Sequence, residues 1–125
     1  MIKQKNKDAV IDQYISSCHI MYEATLSGDY KKNNAEGKQI VKTFKLLEKD
    51  LQFAEECLVT LLENDNVVVK TKAAAHCLAL NIRINEAERI LELAATDEKN
   101  GILGFNAQMT LNVWREQGYL KVYQK

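Results

Sequence analysis

Apolar residues recur along this chain at intervals of three and four, the period of an amphipathic α-helix. Six segments follow that rule. The first runs from about Asp8 to Leu26, with Ile11, Tyr14, Ile15, Cys18 and Tyr22 on one stripe. Ser27-Gly28-Asp29 closes it: glycine permits a left-handed exit, and Asp29 can cap the next helix. The second covers roughly Tyr30 to Glu48, with Ile40, Val41, Phe44 and Leu47 as its stripe. Its interior Gly37 marks either close packing against the first helix or a late helix start. The third, about Leu51 to Leu62, has Asp50 as its cap and Ala54, Cys57, Leu58, Leu61 and Leu62 in register.

The fourth helix runs from Asn66 or Val67 to Leu80, and few of its sectors are fully polar. Val69, Ala73, Cys77 and Leu80 form one stripe, Ala74 and Leu78 extend it, and Ala75 and Ala79 lie further round. A helix apolar nearly all round is covered by neighbours on several sides, so this one is expected at the centre of the core. The fifth is placed from a cap at Asn85 to near Thr96, with Ala87, Ile90, Leu91, Ala94 and Ala95 aligned. The sixth runs from about Ile102 to Gln117 and ends at Gly118. Leu103, Ala107, Leu111 and Trp114 form one of its faces, and Phe105, Met109 and Val113 add a second. Tyr119, Leu120 and Tyr123 of the tail are expected to fold back onto the core.

The third and fifth helices share one template. Ala54, Cys57, Leu58, Leu61 and Leu62 reappear 33 residues later as Ala87, Ile90, Leu91, Ala94 and Ala95. The same step relates Ala74 to Ala107, Leu78 to Leu111, Val41 to Ala74 and Phe44 to Cys77. A two-helix unit of that period is the unit of a helical solenoid, in which a stack buries stripes that one pair cannot. The predicted fold is therefore all-α: an α-α superhelix of about three stacked helical hairpins in a single domain, Met1 to Lys125. It would carry a basic N-terminal segment, Met1 to Lys7, and a C-terminal tail, Tyr119 to Lys125. The alternative is a plain six-helix bundle.

Composition agrees. The chain has 125 residues and no proline, with 46% hydrophobic and 27% charged residues, a globular mix without the usual helix breaker. No stretch approaches the roughly 18 apolar residues of a membrane span, and the N-terminus lacks a signal-peptide core. Cys18, Cys57 and Cys77 are odd in number and scattered, which does not suggest a disulfide framework. These features predict a cytoplasmic protein. Charge balances at 17 basic and 17 acidic residues, against a general nucleic-acid binder. The distribution is uneven: Leu51 to Asn100 is acidic, and such a surface suits a basic protein partner or serves as a solvated helix face.

The fourth-helix region resembles the HEAT repeat. The resembling residues are Leu61-Leu62, the Asn64-Asp65 turn, Val69-Lys70 and Ala73-Ala74, with lysine in place of the usual arginine and Leu78 one place late. From Gly28 to Gly118 the chain also looks like a family of small bacterial α-α superhelical proteins of unassigned function. That resemblance is carried by Gly28-Asp29, Asn33-Asn34, Leu61 to Ala74, Ala87 with Leu91, and Ala107, Leu111, Trp114 and Gly118. Small stand-alone helical-repeat proteins of this sort include immunity proteins of contact-dependent growth-inhibition systems. The resemblance thus implies a protein that binds and neutralises a toxin domain.

Other chemistry reads less well. Cys18-His19 and His76-Cys77 are adjacent pairs, whose members point about 100° apart on a helix and so do not converge on one metal ion. Cys57 and Cys77 fall in core registers rather than beside a base in a cleft. Lys38, Lys42, Lys45 and Lys49 form a ladder that suits phosphates, but Glu36 and Glu48 dilute it and aromatics interleaved on the same face are lacking, Phe44 belonging to the apolar stripe. No catalytic, cofactor or metal site is expected.

The leading expectation is an immunity protein covering the basic surface of a cognate nuclease toxin. The expected partner-binding residues are Glu55, Glu56, Glu63 and Asp65, with Glu88 and Glu92 beside them. The alternatives are a helical-repeat adaptor for another cytosolic protein and, further off, an enzyme or nucleic-acid binder on the same scaffold.

Overall fold

The structure, a computed structural model, describes residues 6–123. The five preceding residues, Met1 to Lys5, hold most of the basic N-terminal segment and lie outside that range, as do Gln124 and Lys125 of the tail. The described chain is all-α: α1 (Lys7–Ser27), α2 (Tyr30–Glu48), α3 (Leu51–Leu62), α4 (Val67–Leu80), α5 (Ile84–Thr96) and α6 (Ile102–Gln117), with a 3-10 turn over Glu98–Asn100. No strand occurs among the described residues. No helix among them is long and apolar enough to cross a membrane. The chain forms two compact units that divide inside α3, between Thr60 and Leu61.

In the first unit α1 and α2 pack against each other. Asn6 caps α1 by accepting from the Ala9 amide at 3.0 Å. The helix leaves through Gly28 at φ 77°, a left-handed conformation that glycine adopts without a Cβ penalty. Asp29 donates its amide to the Ala24 carbonyl at 2.9 Å, and its carboxylate accepts from Lys32 N at 3.1 Å to start α2. Ile11, Tyr14, Ser17, Cys18 and Ala24 are the buried positions of α1, and Ile40, Thr43, Phe44 and Leu47 those of α2. α2 runs unbroken through Gly37, so the glycine marks no late start. Nor does it mark a close approach, because a Cβ there would meet only Met21 Cε, at an ordinary 3.8 Å.

α3 opens on Asp50, which accepts from Phe53 N at 3.2 Å. Its five template positions, Ala54, Cys57, Leu58, Leu61 and Leu62, are all buried. Of their counterparts on α5, Ala87, Leu91 and Ala94 are buried and Ile90 and Ala95 half-buried. Ala74 and Leu78 are buried, as are Ala107 and Leu111. The 33-residue echo is therefore an echo of burial.

In the second unit α5 packs on both α4 and α6, and α4 also meets α6. Asn66 caps α4 by accepting from Val68 N at 2.9 Å and Val69 N at 3.4 Å. No residue of α4 is exposed, in keeping with its nearly continuous apolar surface. The start of α5 differs from the sequence reading. The helix begins at Ile84, not after a cap at Asn85. α4 exits through Asn81 at φ 59°, and Ile82 N bonds the Cys77 carbonyl at 2.8 Å. Three residues then reverse the chain, and Arg83 takes φ 50° to do it, so helical geometry resumes at once and Asn85 already lies in the first turn. Arg83 reaches forward to Glu86 at 3.3 Å.

The junction of α5 and α6 is tight. Asn100 Nδ2 donates to the Ala94 carbonyl at 2.8 Å, and a Cβ added at Gly104 would lie 2.9 Å from the same oxygen. Glycine is what lets α6 start against the end of α5. α6 ends at Gly118, φ 80°. Beyond it Tyr119 is exposed rather than folded onto the core, while Leu120 and Tyr123 are half-buried. The Tyr119 carbonyl accepts from Gln117 Nε2 at 2.9 Å.

Candidate functional site

The candidate acids separate by environment. Glu55 and Glu56 are exposed on α3, in the first unit, on the side away from Ala54, Cys57 and Leu58. Glu63 and Asp65 are exposed on the turn into α4, in the second unit. That turn is built locally. Asn64 Oδ1 accepts from Asn66 N at 2.8 Å, and Asn66 in turn caps α4, so the two carboxylates stand on a short, hydrogen-bonded reversal.

Glu88 and Glu92 stand one turn apart on the flank of α5 that faces α6. Glu88 is half-buried, and its Oε2 accepts from Trp114 Nε1 at 2.9 Å. Glu92 pairs with Arg115 at 2.5 Å, both side chains about half exposed. Both acids are thus engaged within the unit, joining α5 to α6 at two successive turns. Partners 26 and 23 residues away in sequence are not visible in a helical period, which shows only that the two glutamates share a face. Trp114, expected on the core stripe, is half-buried with its indole N–H committed to Glu88.

The cysteines and His76 sit where core packing puts them. Cys18, Cys57 and Cys77 are buried free thiols. Burial pushes the Cys57 thiol up to about 11, the nearby charge of Glu56 adding to the rise and Lys7 opposing it. It is a thiol rather than a thiolate at neutral pH. His76 is buried, and its loss of solvent, reinforced by Lys72, pulls it down to about 3, which keeps the imidazole neutral. Among the described residues no three His, Cys, Asp or Glu side chains come together to hold a metal ion.

Among the surface clefts of the described residues are two that each lie within one unit. One of about 360 Å³ lies between α1 and α2, lined by Val10, Gln13, Thr43 and Leu46 with Lys42 at its edge. The other, of about 220 Å³, is lined by residues of α4 and α5 and by Asn100, with Lys70 and Asp97 as its charged groups. Neither gathers the convergent ionisable groups of a catalytic centre. The lysines of the α2 ladder, Lys38, Lys42, Lys45 and Lys49, are all exposed.

Compared with protein-family models, curated proteins and solved structures, the chain finds no match in any of the three.

Proposed function

We propose that the chain is a helical-repeat protein-binding module, and specifically an immunity-type inhibitor that covers the basic surface of a nuclease toxin domain. The observation that carries this reading is the exposure of Glu55 and Glu56 on α3 and of Glu63 and Asp65 on the turn that follows. A nuclease holds its substrate on Lys and Arg side chains. An acidic inhibitor facing them gains rate by long-range attraction and selectivity by charge complementarity. The sequence resemblance to small bacterial helical-repeat proteins of unassigned function, a class that includes immunity proteins, adds support. Glu88 and Glu92 carry less of the reading, because Trp114 and Arg115 already engage them.

The test is triple charge reversal, Glu55→Lys, Glu56→Lys and Asp65→Lys, measured against the nuclease domain of any toxin that the adjacent reading frame proves to encode. All three side chains are exposed, so the helical circular-dichroism signal should be retained. Affinity should fall by at least about a hundredfold, mostly through slower association, and nuclease inhibition should be lost in proportion. Unchanged affinity would remove these residues from the interface. A stable complex without inhibition would turn the reading to an adaptor.

A further inference from the structure

α2 carries a row of lysines on the side away from its core. Its buried positions are Ile40, Thr43, Phe44 and Leu47. At about 100° per residue, Lys31, Lys38, Lys42, Lys45 and Lys49 fall within a sector of about 60°, centred opposite those four. All five lysines are exposed, and Lys49, the C-cap residue, keeps helical geometry at φ -77°, ψ -17°. At 1.5 Å per residue the row is roughly 27 Å long. Widening the sector to about 100° adds only Asn34 and Ala35, both exposed.

The acids that dilute this stretch in the sequence lie off the row. Glu36 projects from the core side of α2, half-buried, with its Oε1 shielded from solvent. Glu48 stands on a flank and is also half-buried. The folded helix thus sorts charges that the sequence interleaves, and its outer ridge carries lysines and no acid. The overall charge of zero does not cancel that ridge, because charges beyond a Debye length of about 8–10 Å are largely screened from it.

The composition of the ridge selects its partner. Protein interfaces are enriched in aromatic residues, Met and Arg and depleted in Lys, and none of the enriched types stands here. A helix that lies on a membrane sinks apolar side chains beside its lysines, whereas Val41 and Leu46, the nearest large apolar residues, are half-buried on the flanks. Single-stranded nucleic acid stacks its bases on aromatic rings, which the ridge lacks. A duplex keeps its bases inside and presents a phosphate about every 3.4 Å of axis on each strand, so roughly 27 Å of ridge runs past about eight of them. We propose that the outer ridge of α2 binds the phosphate backbone of double-stranded nucleic acid. Phosphate contacts carry no base information, so binding is independent of sequence. The ridge shares no residue with the acids assigned to toxin binding, and the two readings stand or fall separately.

Fluorescence anisotropy of the whole chain with a DNA duplex of about 20 base pairs, two helical turns, tests this. The Kd should be about 10–100 µM at physiological salt, and affinity should fall on the order of a hundredfold between about 50 and 200 mM salt. The slope of log affinity on log salt should be about -3 to -4.5, for about three to five phosphates neutralised. Combining Lys38→Gln, Lys42→Gln and Lys49→Gln should weaken binding at least about tenfold and flatten the slope by about 2 to 3. The charge-matched set Arg89→Gln, Lys99→Gln and Lys121→Gln removes three exposed cations outside α2 and should stay within about twofold of the native chain. Circular dichroism establishes that both variants are folded. Absence of duplex binding at the lowest salt overturns the proposal, as does an equal loss in the two variants or full-strength binding by the ridge variant. Tighter binding to a single strand of the same length overturns the duplex assignment. Binding to phosphatidylserine-containing vesicles in place of the duplex overturns the proposal and makes the ridge a membrane contact.

Discussion

His76 is where acid acts most directly on this protein. Its imidazole is neutral in the folded chain down to about pH 3, while in the unfolded chain it takes up a proton near its ordinary value of 6.5. Between those values the unfolded state binds more protons, so stability is full above about 6.5 and declines as the pH falls. The decline approaches about 1.4 kcal/mol per pH unit once the unfolded histidine is protonated. Urea unfolding between pH 7 and 5, above the range where most carboxylates titrate, should show this slope in the native chain and a much flatter one in His76→Leu. An equal slope in both would show that some other group supplies it. Cys57 acts at the opposite extreme. Its thiol holds its proton to about 11, so the stability it contributes is lost as alkali deprotonates the unfolded chain first.

At the scale of the element, two helical glycines separate propensity from packing. At Gly37 an added methyl finds only Met21 Cε at 3.8 Å, so Gly37→Ala should stabilise by about 0.5–1 kcal/mol through helix propensity. At Gly104 the same methyl meets the Ala94 carbonyl oxygen at 2.9 Å, a backbone atom also held by Asn100. Gly104→Ala should destabilise by about 1–3 kcal/mol despite the identical gain in propensity. Denaturation midpoints of the two variants should move in opposite directions. Movement in the same direction would refute the tight α5–α6 junction.

These glycines also mark how far the sequence is legible. The period of the apolar residues placed all six helices, because each buries one stripe or more and the stripe repeats with the helix. Asp29 and Asp50 announced their caps because capping is a local bond, whereas the cap at Asn66 emerged only in the folded chain. Asn85 misled, since the start of α5 is set by the left-handed turn at Asn81 and Arg83 rather than by a side-chain cap. Gly104 carried no signal, because its importance lies in an oxygen that another helix brings to it.

For the whole molecule, the balance of charge matters less than its distribution. Glu55, Glu56, Glu63 and Asp65 were readable as surface acids from the apolar residues opposite them, and they are exposed. Glu88 and Glu92 satisfied the same pattern but are engaged by α6, and only the folded chain brings Trp114 and Arg115 to them. The outer face of α6, with Phe105, Met109 and Val113 exposed, was visible as a second apolar stripe. That it stays uncovered depends on which neighbours surround α6, and helical periodicity does not contain that information.

α4 alone among the six helices has no exposed residue. That burial has a consequence in time. Amide hydrogens near a frayed terminus exchange with solvent deuterium through small local openings, whereas those of a helix covered on all sides exchange only when the surrounding structure comes apart. The amides in the second half of α4, around Cys77 and Leu78, should therefore be the last in the chain to exchange, at a rate that follows global unfolding as denaturant is added. The first turns of α1 and the last of α6 should exchange fastest. Early exchange throughout α4 would mean that the burial seen there does not hold the helix in place.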